Sequence, residues 1–250
     1  LSGQSLRSPK FSPNGRFVTY LQSRPDKARH YDLWSYDIVT GHRTRLVNSD
    51  DLFEGEEILS DEEKARRERM RLNATGLISY QWAKDNSGIL FPLAGDLFYF
   101  EFLTRKSKQI TNTEEFELDA KLSPDGKMVA FIRKQDLFVI ELETGEETAL
   151  TSGAAGPIKY GMAEFVAQEE MGRHTGYWWS PDSAFIAYIE VNESMVNTIR
   201  RNEIYSDRIE IVEQRYPATG EANAQLKLAV ANLEKGSTQK IDAYFDVDAY

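Results

Sequence analysis

The stretch Phe11-Ser-Pro-Asn-Gly-Arg-Phe-Val-Thr-Tyr20 decides the fold of this chain, because it belongs to an internal repeat. The other copies are Leu122-Ser-Pro-Asp-Gly-Lys-Met-Val-Ala-Phe131, Trp179-Ser-Pro-Asp-Ser-Ala-Phe-Ile-Ala-Tyr188 and a degenerate one, Trp82-Ala-Lys-Asp-Asn-Ser-Gly-Ile-Leu-Phe91. Ser-Pro-Asp-Gly is typical of a β-turn, since proline presets φ and glycine adopts a positive φ. The apolar run that follows each turn predicts a β-strand.

A second element follows each copy, and it completes the repeating unit. It reads as a strand, a hairpin turn of the Thr-Gly type and another strand. The segments that open it are Asp32-Leu-Trp-Ser-Tyr-Asp37, Asp96-Leu-Phe-Tyr-Phe100, Asp136-Leu-Phe-Val-Ile-Glu141 and Leu226-Lys-Leu-Ala-Val230. A unit of about four antiparallel strands is a propeller blade. The repeat resembles those of TolB and prolyl-oligopeptidase propellers, whereas a β-sandwich would not explain the recurrence.

The sequence therefore predicts an all-β fold, a β-propeller with four visible blades. The last residues, Tyr244–Tyr250, are expected to open a fifth blade. Two intervals between copies are longer than a plain blade needs, and each contains a predicted helix, Ser60–Leu72 and Met162–Met171. Ser60 begins a capping-box pattern. Insertions into a repeat are where function tends to be added.

Composition excludes several classes of function. The 250 residues are 41% hydrophobic, which is ample for a packed core, and they include no cysteine, so disulfides and thiol catalysis are excluded. The net charge of -10 argues against nucleic acid as a partner and is compatible with attracting a cationic group. No apolar run approaches the roughly 18 residues that span a bilayer, and the first residues do not read as a signal peptide.

The most informative stretch is Ala163–Asp182, in which Glu169-Glu170 is followed shortly by Trp178-Trp179-Ser-Pro-Asp. Here the chain resembles the dipeptidyl peptidase IV family, particularly its bacterial branch. That family carries a double glutamate on a short propeller helix, followed by Trp-Trp-Ser-Pro. The similarity continues through Glu203–Arg208 and Arg215–Asn223.

The resemblance implies a role for Glu169 and Glu170, which would hold the free α-ammonium group of a substrate peptide. Two adjacent glutamates do not by themselves indicate a binding site, because the chain has four further pairs, at 56–57, 62–63, 114–115 and 146–147. Glu164 is expected to lie at the surface or in an ion pair. Trp178 and Trp179 begin a strand, and we expect both in the core of a blade.

The family also uses a propeller arginine to hold a substrate carbonyl group. The corresponding region is the basic helix before Leu72, where Arg71 is the first candidate. Arg67 and Arg69 are alternatives, for which a solvated basic face is the expected environment.

No nucleophile, metal or cofactor is predicted within the chain. It lacks the Gly-x-Ser-x-Gly elbow of an α/β-hydrolase and any phosphate-binding glycine loop. His30, His42 and His174 do not share a metal-ligand spacing. We expect His42 to be exposed in a hairpin turn, and His174 borders the glutamate helix, where it could line the site.

The resemblance implies that residues 1–250 form part of the N-terminal propeller of a serine dipeptidyl aminopeptidase. In that family an eight-bladed ring sits on an α/β-hydrolase domain, which would follow Tyr250, and the enzyme releases X-Pro or X-Ala dipeptides. It also implies a homodimer and, from bacterial relatives, a periplasmic location. Two alternatives stay open: a non-catalytic TolB-like platform for protein partners, and the propeller of an oligopeptidase or acylaminoacyl peptidase.

Overall fold

A computed structural model describes residues 4–55, 57, 59, 61–204 and 207–241 of the chain. The chain divides into two compact units. The first comprises the residues up to Arg133 together with Phe138–Thr148, and the second comprises Lys134–Leu137 and the residues from Ala149 onward. The strand predicted at Tyr244–Tyr250 and the N-cap predicted at Ser60 lie outside the described residues. Within the described part of the chain, no helix has the length and apolarity required to cross a bilayer.

The repeated turn is built by the same hydrogen bonds in each full copy. In the first copy the Ser12 hydroxyl donates to Asn14 Oδ1 at 2.7 Å and accepts the backbone N–H of Phe17 at 2.9 Å. Gly15 closes the turn by donating to the Ser12 carbonyl, and its φ of +72° is the left-handed conformation that glycine adopts without strain. Ser123 and Ser180 repeat the pattern. The turn therefore depends on local chemistry, as the sequence predicts.

The first sheet has its strands in chain order, with antiparallel neighbours. A two-residue strand that follows the first helix joins it by pairing with β3 in parallel. The strands are β1 (Leu6–Phe11), β2 (Phe17–Ser23), β3 (His30–Asp37), β4 (Arg43–Val47) and β5 (Thr75–Gly76).

The second and third sheets each have four antiparallel strands, again in chain order. The second consists of β6 (Gln81–Trp82), β7 (Gly88–Leu93), β8 (Asp96–Glu101) and β9 (Lys106–Gln109). The third consists of β10 (Leu118–Leu122), β11 (Met128–Arg133), β12 (Asp136–Glu141) and β13 (Glu147–Ala149). The degenerate repeat at residues 82–91 thus forms a blade of the ordinary kind.

The fourth sheet has the order β14-β16-β19-β20, and β15 also pairs with β16. A separate two-stranded hairpin, β17–β18, is inserted before β19. The fourth sheet is formed by β14 (Ile158–Tyr160), β15 (Tyr177–Trp179), β16 (Phe185–Asn192), β19 (Gln225–Asn232) and β20 (Ser237–Ile241). The hairpin is formed by β17 (Thr198–Ile204) and β18 (Ile209–Arg215).

These repeated sheets are propeller blades, so the predicted fold class is confirmed. In the first unit, large side chains from neighbouring sheets form shared cores in which Leu33, Phe91 and Phe100 are fully or almost fully buried. Phe91 and Phe98 stack with their ring centroids 5.8 Å apart. Burial of such side chains contributes roughly 1.5–3 kcal/mol each, so the sheets are held by apolar packing.

A polar pair recurs where the third strand of a blade begins and the fourth ends. The pairs are Asp32 with Ser49, Asp96 with Thr111, and Asp136 with Thr151. In the last pair the Thr151 hydroxyl donates to Asp136 Oδ1 at 2.7 Å and accepts the backbone N–H of Leu137 at 2.9 Å. The aspartate of each Asp-Leu segment is therefore hydrogen-bonded to the serine or threonine that follows the fourth strand of the same blade.

Both helices are shorter than the sequence suggests. α1 spans Asp61–Arg69 and α2 spans Phe165–Glu169, and a short 3-10 helix covers Ser49–Asp51. α1 ends before the predicted Leu72 because Arg71 adopts a positive φ of +53°, which no α-helix can continue.

Candidate functional site

The double glutamate lies at the exposed end of α2, in the second unit. Glu169 is the last helical residue and Glu170 is the C-cap, with its backbone N–H bonded to the Val166 carbonyl at 2.9 Å. Both residues are exposed. Within the described part of the chain, the Glu170 carboxylate makes no hydrogen bond or ion pair, so it is open to an external cation. Helix C-termini carry partial negative charge, which adds to that of the carboxylates.

The start of α2 is set by Glu164, whose backbone is extended, with φ -74° and ψ 172°. The sequence predicts a helix that begins at Met162. In the structure the helix begins later, because the Gly176 N–H donates to the Gly161 carbonyl at 3.1 Å and Gly176 packs against Met162. A Cβ at Gly176 would lie 2.5 Å from the Met162 carbonyl carbon. Only a glycine permits this approach, and the segment held by it stays non-helical.

Glu164 is buried and paired, so one of its two expected environments is confirmed and the surface position is wrong. Its carboxylate is 3% exposed and lies 2.8 Å from the Arg173 guanidinium. Arg173 also donates through Nη1 to the Thr175 carbonyl at 2.8 Å and through its backbone N–H to the Ala167 carbonyl at 2.9 Å. The ion pair and hydrogen bonds of Arg173 thus join the two ends of the segment that carries Glu169 and Glu170.

The apolar side of α2 is anchored within the same unit. Ala167 is fully buried. The Phe165 ring meets the Tyr216 ring edge-on, with centroids 5.1 Å apart. Such aromatic pairs contribute about 0.5–1.5 kcal/mol beyond the area they bury.

The two tryptophans that follow the helix belong to β15, as expected, but they do not both lie in the core. Trp178 is 41% exposed, whereas Tyr177 is fully buried. Side chains alternate between the faces of a strand, and Trp178 pairs with Ala187 on the face opposite to Tyr177 and Tyr188. The expectation of a core position is therefore wrong for Trp178.

The two histidines discussed with the site have different environments. His42 is exposed near the β3–β4 turn, as predicted. His174 is half-buried, and its Nδ1 atom is buried without a hydrogen-bond partner among the described residues. Its predicted position lining the site stays a prediction.

The candidate arginines lie in the first unit, and Arg67 and Arg71 have different environments there. Arg67 is buried, and its guanidinium lies 2.6 Å from Glu57 and 2.7 Å from Glu63, so the predicted solvated face is wrong for it. Burial alone would lower the pKa of Arg67, but these two carboxylates raise it above the ordinary value. Arg71 is exposed beyond the end of α1.

Both Arg67 and Arg71 line a cavity of about 660 Å³ beside α1. Sequence reasoning missed the burial of Arg67, because Glu57 lies outside the helix and its distance from Arg67 is decided by folding. The i, i+4 spacing of Glu63 and Arg67 was a signal that could have indicated a bonded pair.

The chain thus combines β-propeller blades with an inserted helix that exposes two adjacent glutamates. The family described as "Dipeptidyl peptidase IV (DPP IV) N-terminal region" matches residues 79–250. The chain belongs to this family.

Individual relatives agree with that assignment. The chain is 28% identical to mouse dipeptidyl peptidase 8 over 70% of its own length and 22% of the relative's. It is 25% identical to a probable dipeptidyl peptidase 4 of Aspergillus flavus over 95% of its length and 31% of the relative's. The crystal structure of Porphyromonas gingivalis dipeptidyl peptidase 4 matches the whole chain and 34% of that protein, with a TM-score of 0.71 and 21% identity. The chain therefore spans between 22% and 34% of the length of these relatives.

Proposed function

We propose that residues 1–250 form part of the substrate-recognition propeller of a serine-type dipeptidyl aminopeptidase. The nucleophile would lie on an α/β-hydrolase domain elsewhere in a longer protein, and cleavage would release X-Pro or X-Ala dipeptides. The observation that carries the proposal is the exposed Glu169–Glu170 pair at the end of α2, in a chain of the dipeptidyl peptidase IV family.

The chemistry of the pair suits a peptide amino terminus. An α-ammonium group offers three donors and a positive charge, and each carboxylate accepts charge-assisted hydrogen bonds of roughly 1.5–3 kcal/mol. Two adjacent carboxylates repel each other until a cation neutralises them, which favours binding of a cation. A peptide with a blocked amino terminus would desolvate both carboxylates without pairing them.

A propeller arginine would hold a carbonyl group of a substrate peptide. Arg71 remains the first candidate, because it is exposed and lines the cavity beside α1. Arg67 lines the same cavity, but Glu57 and Glu63 already neutralise it. If Arg71 binds the carbonyl, Arg71→Ala lowers kcat/KM without changing the melting temperature. If Arg67 does, Arg71→Ala is silent and Arg67→Lys lowers kcat/KM.

The decisive experiment uses the full-length protein and a Gly-Pro chromogenic substrate, compared with its N-acetylated form. Glu169→Gln/Glu170→Gln removes two charge-assisted bonds, so kcat/KM for the free amine should fall about 10²- to 10⁴-fold. The matched control is Glu114→Gln/Glu115→Gln, an adjacent pair on a loop, which should leave kcat/KM unchanged.

The rival functions correspond to other outcomes. Equal cleavage of the free and acetylated substrates, or an unimpaired Glu169/Glu170 variant, would indicate an oligopeptidase-like enzyme. No cleavage of either would favour a TolB-like platform for protein partners.

We also propose a homodimer, and the β17–β18 hairpin supports it. A two-stranded hairpin is at best marginally stable in water, and this one exposes Ile204, Ile209 and Ile211, which are 64–79% exposed on one face. Light scattering on the full-length protein should show a dimer that Ile204→Asp/Ile209→Asp dissociates. Leu103→Asp, at a position 95% exposed, is the control and should have no effect. An unchanged dimer in the isoleucine variant would contradict the proposed interface.

The periplasmic location stays a prediction. Cell fractionation tests it, and recovery of the protein in the cytoplasmic fraction would contradict it.

A further inference from the structure

The segment that carries the double glutamate is spanned by an ion pair with a buried carboxylate, between Glu164 at the start of α2 and Arg173 after its end. We infer that Glu164 and Arg173 are positioning residues, which hold the carboxylates of Glu169 and Glu170 in the arrangement that binds an α-ammonium group. The inference rests on the proposed function.

α2 needs such support because it is very short. It has five residues, and helices shorter than about 12–15 residues are marginal in water by themselves. Its N-cap residue, Glu164, makes no side-chain capping bond to the helix. The Glu164 side chain instead reaches across the turn to Arg173 at 2.8 Å.

The pair fixes both ends of the turn at once. Glu164 bonds to the helix through its backbone, since its carbonyl accepts the Gln168 N–H at 3.2 Å. Arg173 donates its backbone N–H to the Ala167 carbonyl of the same helix, and its guanidinium donates to the Thr175 carbonyl in the loop before β15. The residues between Glu164 and Arg173, 165–172, include Glu169 and Glu170 and are therefore spanned by an ion pair whose carboxylate is 3% exposed.

Position matters for this site because recognition depends on two carboxylates meeting one ammonium group. A displacement of about 1 Å at a positioned group can cost roughly 100-fold in rate or binding. Loss of the Glu164–Arg173 pair leaves both binding carboxylates present but loosens the segment that holds them. The expected consequence is weaker binding of the free amino terminus.

The test measures KM and kcat of the full-length enzyme on the Gly-Pro substrate. Glu164→Gln keeps the side-chain size and removes the charge, and it should raise KM about 10- to 100-fold with kcat little changed. Arg173→Lys keeps the ion pair but loses the second donor, so its KM should lie between wild type and Glu164→Gln. This variant also covers the case in which Glu164→Gln fails to fold.

The control is Glu193→Gln, which breaks an equally buried ion pair in the same unit. Glu193 lies 2.7 Å from Lys159, and the two side chains are 7% and 24% exposed, against 3% and 25% for Glu164 and Arg173. General loosening of the unit would affect both variants alike, whereas positioning predicts that Glu193→Gln keeps the wild-type KM.

A mutant cycle on the Glu169→Gln/Glu170→Gln background tests whether Glu164 acts through the two glutamates. If it does, Glu164→Gln should add little to the KM of the Glu169→Gln/Glu170→Gln enzyme. A full additional effect on that background, a normal KM in Glu164→Gln, or an equal rise in Glu193→Gln would overturn the inference. A normal KM in Glu169→Gln/Glu170→Gln would instead refute the proposed function itself, so the two failures are distinguishable.

Discussion

Replacement of Asp32 by asparagine tests how the first blade is held together. Asp32 is 1% exposed at the start of the third strand of that blade. Its carboxylate accepts from Arg24 Nη2 at 2.8 Å and Nε at 3.0 Å, and from the Ser49 N–H at 3.0 Å and hydroxyl at 2.9 Å. Asparagine has nearly the same shape, but it carries no charge and presents an NH₂ group to these donors.

The expected loss of stability follows from these contacts. Removing one partner of a buried ion pair costs roughly 3–5 kcal/mol, and an unsatisfied buried N–H costs about 1–3 kcal/mol. Arg24 keeps its ion pair with Asp50, which moderates the loss. We therefore expect Asp32→Asn to lower the free energy of unfolding by about 3 kcal/mol, a large part of the 5–15 kcal/mol typical of a domain.

The effect should depend on pH in one direction. Burial alone would raise the pKa of Asp32, but the hydrogen bonds from Arg24 and Ser49 hold it below the ordinary value of 3.8. A carboxyl whose pKa is lowered by folding stabilises the fold above its unfolded pKa, and this stability is lost as the pH falls through the folded pKa. The difference between wild type and Asp32→Asn should be complete at pH 7 and shrink below about pH 4.

The free energy of unfolding is measured by urea unfolding, followed by tryptophan fluorescence, at several pH values between about 3 and 7. Asp26→Asn is the matched control, because Asp26 is exposed in the β2–β3 connection that precedes Asp32, and it should change the free energy by less than about 0.5 kcal/mol. A loss below about 1 kcal/mol in Asp32→Asn, or a difference that grows toward acid pH, would refute the reasoning.

Two further substitutions test the close approach at α2 and the repeated polar pair. Gly176→Ala places a Cβ 2.5 Å from a backbone carbonyl carbon, so it should lower stability by about 2 kcal/mol or more, measured as a fall in melting temperature. The Cβ added by Gly172→Ala has no described atom within 4 Å apart from its chain neighbours, so this substitution should cost only the roughly 1–2 kcal/mol of a positive φ. Thr151→Val removes the acceptor for the Leu137 N–H and should cost about 1–3 kcal/mol in urea unfolding. The exposed Thr144→Val should cost less than Thr151→Val, and equal losses would contradict the role of the pair.

Much of the fold could be predicted because its signals are local. The turn at Ser12–Gly15 is made by side-chain and backbone bonds between residues at most five apart, so the same letters give the same turn wherever they recur. Strand alternation and the Thr-Gly turns are equally local. The resemblance to the dipeptidyl peptidase IV family is carried by Glu169-Glu170 and Trp178-Trp179, which lie close together in the sequence.

The bounds of the helices were less predictable. Propensity favours a helix over Met162–Met171, but Gly176, which follows that segment, packs against Met162 and keeps the first part extended. Propensity acts as a weak preference that tertiary contacts override.

By itself, the sequence determined the blade repeat, the places of the insertions and the pair of glutamates, since each of these depends on residues that are close together along the chain. Only the tertiary structure decided that Glu164 is buried against Arg173, that Arg67 is buried between two carboxylates, and that Trp178 is exposed. Burial of a charged side chain depends on partners that folding brings within hydrogen-bond distance, and exposure of an apolar one depends on which face of a sheet is covered. Neither is a property of the residue or of its neighbours along the chain.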